Sequence, residues 1–435
     1  MNYVFFLFLG STLISQSLMD FFSVVVLLVS LWEIRKKQIP WVRLPSFSKN
    51  NNLYFWEFFF FFWLVVVAIG LRDSSSFLVL FSEWKWILNL YSLYWFLQKL
   101  EWIHLATLPL TTTSLKSLIH QFQPFFITLC ICFVYGAIGY VFNFDLFKQE
   151  PLTHGRRFGG PFDDPMNFAH IYGMYCGLLA AFCLSSTKSM EFKSFYLPFW
   201  KKLKSGENLF FLTWILISLS ILLSLTRGAW IGVTMAFLLI SFLTHRKVGV
   251  FVLSGVTFLF TSLMIFWSSF RERIFQAFHP SENYDSERLV LWKTNWAMFL
   301  DHPWFGVGHG DYKNFLPNYF QQLGVPSDHF QSHAHNQYLQ ALSNTGFIGF
   351  LFYLCFILSV LFLTLKFYQR TQNPLFLGSL AAQVSFHLGA FTECNFERSK
   401  VRLVYLFFVA LTFSLISKYN LSLKARLKSQ TKEES

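Results

Sequence analysis

The residues best suited to chemistry lie at a few points between long apolar stretches. One is the segment 332–339, Ser-His-Ala-His-Asn-Gln-Tyr-Leu, in which His333 and His335 precede an apolar stretch. Histidine is the side chain that accepts a proton near neutral pH, so this position suits a general base that acts on lipid-borne substrates. The alternative for His335 is a structural histidine that bonds only the backbone.

Arg227 lies in the segment Thr-Arg-Gly-Ala-Trp, between the apolar stretches 209–225 and 229–243. A turn this short holds the guanidinium group close to the hydrocarbon boundary, where an unpaired charge costs about 2.5–3.5 kcal/mol on insertion scales. We therefore expect Arg227 to have a partner. The alternative is that its side chain extends to the lipid headgroups.

Two more arginines, Arg156 and Arg157, lie in the loop 144–167. From residue 152 this loop reads Leu-Thr-His-Gly-Arg-Arg-Phe-Gly-Gly-Pro-Phe-Asp-Asp-Pro, and its glycines and prolines predict a turn-rich structure. Such a loop can present two guanidinium groups. The alternative is an interfacial basic anchor, which fits Arg156 better than Arg157 because Arg157 is nearer to the Gly-Gly-Pro turn.

A long loop, residues 270–345, contains a segment with helical periodicity. The pattern predicts an amphipathic helix over residues 286–300 that lies on the outer leaflet, with Arg288 in its first turn. Its apolar stripe consists of Leu289, Trp292, Trp296 and Phe299. The Gly-rich turn that follows, residues 304–312, resembles a phosphate cradle only loosely, because it neither follows a strand nor opens a nucleotide fold.

A mixed acidic and basic segment, from Glu393 to Lys400, lies between the last two apolar stretches. It either orients the arginines or closes the loop. For the histidine segment 332–339, a metal site is a weaker alternative to the general base, because its donors follow no established ligand spacing. Those donors would be His329, His333 and His335 with Asp328 or Asp311. We predict neither a metal nor another cofactor.

The composition shows what kind of protein must position these residues. The chain of 435 residues is 54% hydrophobic and 21% aromatic, and its 13% of charged residues is about half of the ~25% usual in soluble domains. This excludes a soluble enzyme and predicts an all-α polytopic membrane protein. A helix of ~20 residues crosses a ~30 Å hydrocarbon core, and ten stretches qualify: 54–71, 77–97, 124–143, 168–186, 209–225, 229–243, 250–269, 346–365, 375–391 and 402–417.

The N-terminal apolar region, residues 3–32, is interrupted by polar residues and forms either one long tilted helix or two short ones. We therefore expect about 12 transmembrane helices, 11 or 12. We divide the chain into three parts: N-terminal transmembrane helices over 1–145, a catalytic membrane domain over 146–417 that includes the loop 270–345, and a basic cytoplasmic tail over 418–435.

The basic residues predict the orientation of the chain. Successive loops between the spans lie on alternating sides of the membrane, so the loops form two sets. One set contains 21 of the 35 Lys and Arg residues. By the positive-inside rule this set is cytoplasmic, so the loop 270–345 lies on the opposite, outer side. The net charge of +12 is scattered between apolar spans, so we predict the lipid bilayer as a partner and no nucleic acid.

The order of these motifs resembles that of the O-antigen ligase and polymerase superfamily. The Arg-Phe-Gly-Gly-Pro loop, the Thr-Arg-Gly turn, the arginine-containing helix and the His-Ala-His-Asn-Gln-Tyr-Leu segment follow one another over roughly residues 150–400. The ligase motif is His, then Asn, Ser or Gln, then nine residues and Gly-x-x-Gly, and it is matched by His335, Asn336, Gly346 and Gly349. The next residue is Phe350, where the ligase pattern usually has a small polar residue, so the ligase and polymerase branches both stay open.

The resemblance implies a metal-independent membrane glycosyltransferase of the C-type architecture, in the bacterial inner membrane with its site facing the periplasm. Its donor would be a glycan on undecaprenyl diphosphate, and its acceptor the lipid A-core oligosaccharide. His335 looks like the general base, and Arg227 and Arg288 look like the groups that bind the diphosphate. We add as further diphosphate-binding candidates Arg157 and Arg156, and as supporting residues Asn336, His333, Tyr338 and Arg398.

Other functions stay open beside O-antigen ligation. A polysaccharide polymerase or a protein O-oligosaccharyltransferase uses the same donor chemistry and differs only in its glycan or protein acceptor. A transporter of a lipid-linked sugar predicts charged residues at mid-membrane and broken helices in matching halves. Because the candidate residues gather at one outer face instead, glycosyl transfer is the favoured function.

Overall fold

The computed structural model describes residues 2–36, 76–100, 103, 117, 120–146, 149–152, 157–162, 164–187, 208–278, 284–308, 312–324 and 333–433. Their helices are α1 (Asn2–Ile14), α2 (Gln16–Lys36), α3 (Ser76–Leu97), α4 (Gln123–Phe142), α5 (Pro165–Thr187), α6 (Asn208–Leu223), α7 (Arg227–Thr244), α8 (Arg246–Phe266), α9 (Ser268–Phe278), α10 (Tyr284–Asp301), α11 (Tyr312–Gln322), α12 (Gln337–Thr371), α13 (Pro374–Gly389) and α14 (Ser399–Glu433). Strands β1 (Phe144–Asp145) and β2 (Glu150–Pro151) pair antiparallel in the loop after α4.

Within the described residues, 6 helices are long and apolar enough to cross a membrane, namely α4, α5, α7, α8, α12 and α14. The chain is therefore an all-α, multi-pass membrane protein, as the composition predicted. The N-terminal region forms two helices that are separated at Ser15, so it is not one long helix; α1 has 13 residues and α2 has 21, so only α1 is short. The predicted stretch 54–71 lies outside the described residues, and the total of 11 or 12 and the three-part division of the chain stay predictions.

Helix α13 lies at the centre of the bundle and is buried along almost its whole length. It packs against α5, where a Cβ atom at Gly177 would lie 2.8 Å from the Cβ of Ala381. It also packs against α7, where a Cβ at Gly232 would lie 2.4 Å from the carbonyl oxygen of Ser385. Small residues let helix backbones approach closely in membranes, where apolar burial provides no net attraction between helices. The ends of these helices are thereby held close together.

Helix α10 confirms the predicted helix in the long loop, but its surfaces differ from the predicted stripe. Leu289 and Trp296 are exposed, as a contact with the leaflet requires. Trp292 is turned inward instead, and its Nε1 donates to the carbonyl oxygen of Ala334 at 3.1 Å. Helix α10 also forms a second small core with α11, which consists of Leu291, Met298, Val307, Tyr312, Leu316, Tyr319 and Phe320.

Helix α12 is broken at Gly346, which has φ 63° and ψ −170°. The turn 303–308 lies in this break, because the backbone N–H of Phe347 donates to the carbonyl oxygen of Pro303 at 2.7 Å. The N–H groups of Val307 and Gly308 donate to carbonyl oxygens of α12 at 2.9 and 3.0 Å. The amides of Val307 and Gly308 therefore already have partners within the protein and are not available to a phosphate.

Replacing Gly346 with alanine is expected to destabilise the protein and lower its activity. The backbone angles are accessible essentially only to glycine, and such strain costs about 1–3 kcal/mol. In addition, a Cβ at this position would lie 2.4 Å from backbone atoms of Trp304 and Phe305. Thermal unfolding in detergent should show a lower Tm. The matched control is Gly255→Ala on α8, where a Cβ meets no atom within 4 Å and no loss of Tm is expected.

Candidate active site

The ends of several helices meet in one region. The backbone N–H of Gln337, at the start of α12, donates to the carbonyl oxygen of Ala390 after α13 at 2.9 Å. At the start of α7, a Cβ at Gly228 would lie 2.1 Å from the hydroxyl of Thr392. Residues far apart in the chain are thus brought together around the loop 390–398, which joins α13 to α14.

Glu393 is the centre of the charged side chains in this region, and it is buried. Its Oε1 accepts a hydrogen bond from Arg288 at 3.0 Å. Its Oε2 lies 3.2 Å from Nδ1 of His335 and accepts from the guanidinium group of Arg398, also at 3.2 Å. One carboxylate therefore holds two arginines and the predicted base. From the sequence the role of this acidic segment was open, and in the structure Glu393 pairs with Arg288, one of the arginines that the sequence singled out.

The charge state of Glu393 determines how His335 is protonated. Burial alone raises the pKa of the Glu393 carboxyl. The hydrogen bond from His335 and the positive charges of Arg398 and Arg288 outweigh burial and hold this pKa well below its usual range. An ionised carboxylate can only accept hydrogen bonds, so Nδ1 of His335 carries the proton. The lone pair that accepts a proton is then on Nε2.

The backbone around His335 is fixed by bonds on both sides. His335 itself has φ 49°, a conformation that few residues other than glycine adopt. Before it, the N–H of Ala334 donates to the side chain of Gln340 at 2.7 Å. After it, Asn336 caps α12 by accepting from the N–H groups of Tyr338 and Leu339 at 3.0 and 3.1 Å. Asn336 of the ligase motif thus has a structural role in placing His335.

His333 lies beside His335, with their ring centroids 4.3 Å apart. The pKa of His333 is lowered to about 4, mainly by burial; the nearby His335, Arg398 and Arg288 add to this lowering, and Glu393 opposes it. A histidine with so low a pKa is neutral at pH 7 and a weak base. His333 is therefore poorly suited to act as a general base, and it packs against His335.

Arg398 contacts carboxylates on both of its sides. One terminal nitrogen donates to Glu393, and the other forms an ion pair with Asp164 and donates to Asn167 at 3.2 Å. Two carboxylates therefore already neutralise this guanidinium group. Its predicted supporting role is better described as positioning of Glu393 than as binding of a diphosphate.

A second group of cations surrounds the turn between α6 and α7. Arg157 donates to the carbonyl oxygen of Ser224 at 2.9 Å and to the hydroxyl of Thr226 at 3.1 Å. Arg227 donates to the backbone carbonyl of Arg273 at 3.3 Å. The side chain of Arg273 in turn donates to Leu225 of the same turn at 3.4 Å. We call Arg157, Arg227 and Arg273 the basic turn, and sequence reasoning missed Arg273 because nothing in its local pattern distinguishes it.

We call Glu393 with Arg288, His335 and Arg398 the Glu393 cluster. The basic turn lies beside this cluster. Gly228 follows Arg227 and contacts Thr392, which precedes Glu393.

Two of the predicted site residues remain. The hydroxyl of Tyr338 donates to the carbonyl oxygen of His387 at 2.9 Å, which is a structural contact. Arg156 lies outside the described residues.

The side chains of His333, His335 and Glu393 are also close enough to be considered as metal ligands, with donor atoms within 4.8 Å of one another. The chemistry of the surroundings opposes a cation. Both oxygens of Glu393 already bind guanidinium groups, so a metal ion would lie against two fixed positive charges. Asp311, Asp328 and His329, which the sequence offered as further candidate metal ligands, lie outside the described residues.

Comparisons with known proteins agree with the resemblance drawn from the motifs. Residues 212–354 match the family model described as O-antigen ligase, and this segment includes Arg227, Arg288 and His335. The teichuronic acid biosynthesis protein TuaE of Bacillus subtilis (strain 168) is 31% identical over 126 residues. That alignment covers 28% of this chain and 25% of the relative's length. The predicted resemblance is confirmed, and Glu393 lies outside the segment that the family model matches.

Proposed function

We propose that this protein is a membrane glycosyltransferase that transfers a glycan from a polyprenyl diphosphate, undecaprenyl diphosphate, to an acceptor hydroxyl at the outer face of the cytoplasmic membrane. The observation that carries the proposal is the pairing of His335 with ionised Glu393, beside Arg288 and the basic turn. The match to the O-antigen ligase family and the named role of the relative in teichuronic acid biosynthesis also support a polysaccharide substrate.

In the proposed reaction His335 acts on the acceptor and the arginines act on the donor. Nε2 of His335 takes the proton of the acceptor hydroxyl as its oxygen forms a bond to the anomeric carbon. The bond from that carbon to the phosphate oxygen breaks, and the polyprenyl diphosphate leaves with the electron pair. Direct attack inverts the anomeric centre. General-base assistance of this kind contributes about 10²–10⁴-fold.

The diphosphate gains negative charge as it leaves, and the proposal assigns its stabilisation to Arg288 and Arg227, with Arg157. Guanidinium groups are always protonated and bind phosphate oxygens in pairs of hydrogen bonds, so they can replace a divalent cation. The contacts of Arg288 support this role. Its terminal nitrogen is held by Glu393, whereas its buried Nε has no hydrogen-bond partner among the described residues.

The acceptor distinguishes the two branches of the family. The first candidate is the lipid A-core oligosaccharide, which makes the protein an O-antigen ligase. The second is a growing glycan, and the relative named for teichuronic acid biosynthesis favours such a polysaccharide acceptor. A protein acceptor is the remaining alternative.

Analysis of the glycolipids in a deletion strain tests the proposal. Loss of the protein should leave the lipid-linked glycan to accumulate while its transfer stops. Uncapped core with full-length lipid-linked chains identifies a ligase, and core capped with a single repeat unit identifies a polymerase. Unchanged glycolipids and unchanged surface glycan would contradict the proposal.

Replacing Arg288 or Arg227 with lysine is expected to reduce turnover by at least about 10-fold although the charge is retained. The reason is that an ammonium group cannot form the pair of coplanar hydrogen bonds by which a guanidinium group binds a phosphate. The measurement is transfer from a lipid-linked donor in proteoliposomes. The matched control is Arg271→Lys on α9, whose guanidinium group donates only to carbonyls of α8 in the bonds described. Wild-type rates of transfer in both variants would mean that Arg156 and Arg157 bind the diphosphate instead.

A further inference from the structure

A short segment of the chain contacts both parts of the site. It consists of residues 157–162 together with Asp164, and we call it the strap. At one end Arg157 binds the turn that precedes Arg227. At the other end Asp164 forms an ion pair with Arg398, which donates to Glu393. The strap thus joins the groups assigned to the diphosphate with the group that orients the base.

The strap is anchored by aromatic packing. Phe158 is buried, and its ring lies 5.7 Å from that of Phe133 and 5.3 Å from that of Phe168. Gly136 of α4 makes room for it, since a Cβ there would lie 2.6 Å from the Phe158 ring. The backbone N–H of Phe158 also donates to the carbonyl oxygen of Leu223 at 3.1 Å. These contacts join the strap to α4, α5 and α6.

Asp164 has two roles that can be separated by mutation. Its Oδ1 caps helix α5 by accepting from the N–H of Met166 at 2.8 Å. Its Oδ2 forms the ion pair with Arg398. Asparagine caps helices as well as aspartate does but carries no charge, so Asp164→Asn removes the ion pair and keeps the cap.

We propose that the strap fixes the position of the base relative to the diphosphate-binding arginines, and that Asp164 is a positioning residue that acts through Arg398 and Glu393. This inference rests on the proposed function, because it assigns the two ends of the strap to donor and acceptor chemistry. The sequence placed Asp164 in a turn and gave it no role.

The charges around His335 determine the direction of the expected effect. Its neighbours are Glu393 and Arg398 of the loop 390–398, Arg288 of α10 and His333 of its own segment, with Asp164 behind Arg398 and His170 of α5 near Glu393. With Asp164 neutral, the charge of Arg398 is compensated by Glu393 alone. The protonated imidazole of His335 then becomes less favourable.

The Asp164→Asn variant is therefore expected to lower kcat about 10-fold, in the range for residues that orient a reactive group. The acidic limb of its kcat/KM profile should move to lower pH, because that limb reports the protonation of the base in the free enzyme. Asp164→Glu should restore part of the rate. KM for the lipid-linked donor should change less than kcat.

Two controls keep the outcomes distinct. Asp301→Asn removes a carboxylate that bonds Tyr319 at 2.7 Å in the second small core, and it should leave the pH profile unchanged. If the wild-type protein does not transfer glycan from a polyprenyl diphosphate, the proposed function fails. If the wild type is active and Asp164→Asn has the wild-type kcat and pH profile, the inference about the strap fails. A lower rate with an unmoved acidic limb also contradicts it.

Discussion

Replacing His335 with alanine is expected to lower glycan transfer by about 10²–10⁴-fold, the usual contribution of a general base. The variant should still bind the lipid-linked donor, because the arginines are unchanged. In cells, the donor should accumulate while surface attachment is lost. Transfer in proteoliposomes and the amount of lipid-linked glycan are the two measurements.

A second substitution at His335 separates loss of the base from loss of packing. Glutamine can still donate to Glu393 but does not accept a proton near neutral pH, so His335→Gln should be as inactive as His335→Ala. His302→Gln is the matched control, because that ring contacts Phe315 outside the cluster. Near-normal transfer by His335→Gln would exclude the general-base role.

The second large effect is expected for Glu393→Gln. In the Ser-His-Asp triad, changing the carboxylate that orients the base to an amide lowers kcat on the order of 10⁴-fold. We expect the rate of glycan transfer to fall by at least about 10²-fold here. The amide N–H group can donate to Nδ1 of His335, which favours the tautomer with the proton on Nε2. That tautomer has no lone pair directed at the acceptor hydroxyl.

Glu393→Gln also removes the charge that compensates Arg288 and Arg398, and breaking a buried ion pair costs about 3–5 kcal/mol. The Tm in detergent should therefore be measured with the rate, and rates compared at a temperature at which both proteins are folded. Glu272→Gln on α9 is the control, because Glu272 is exposed. A folded Glu393→Gln protein with normal turnover would contradict the assignment of Glu393.

The pKa of Glu393 gives this cluster a defined pH dependence. A carboxyl whose pKa is lower in the folded protein than in the unfolded chain stabilises the fold above the unfolded pKa, and this contribution is lost as the pH falls toward the folded value. Since the pKa of Glu393 lies well below its usual range, its contribution persists at neutral pH and declines only under acidic conditions. His333 acquires charge in the same acidic range, since its pKa is about 4.

The amino-acid sequence alone determined the class of the protein and most of its candidate site residues. Hydropathy is a local property, so stretches such as 124–143 and 229–243 differ from helices α4 and α7 by only a few residues at each end. His335, Arg227 and Arg288 were also found from local patterns. The break at Gly346 was visible only as a motif residue, and the structure supplied its physical reason.

The tertiary structure alone decided which charges meet. Glu393 is 58 positions from His335, and Asp164 is 234 positions from Arg398. No local periodicity relates such residues, because their contacts depend on how α5, α7 and α13 pack at their small residues. The same packing gave Arg398 two carboxylate partners. The sequence therefore identified the candidate groups, and the packing of the helices determined which of them meet.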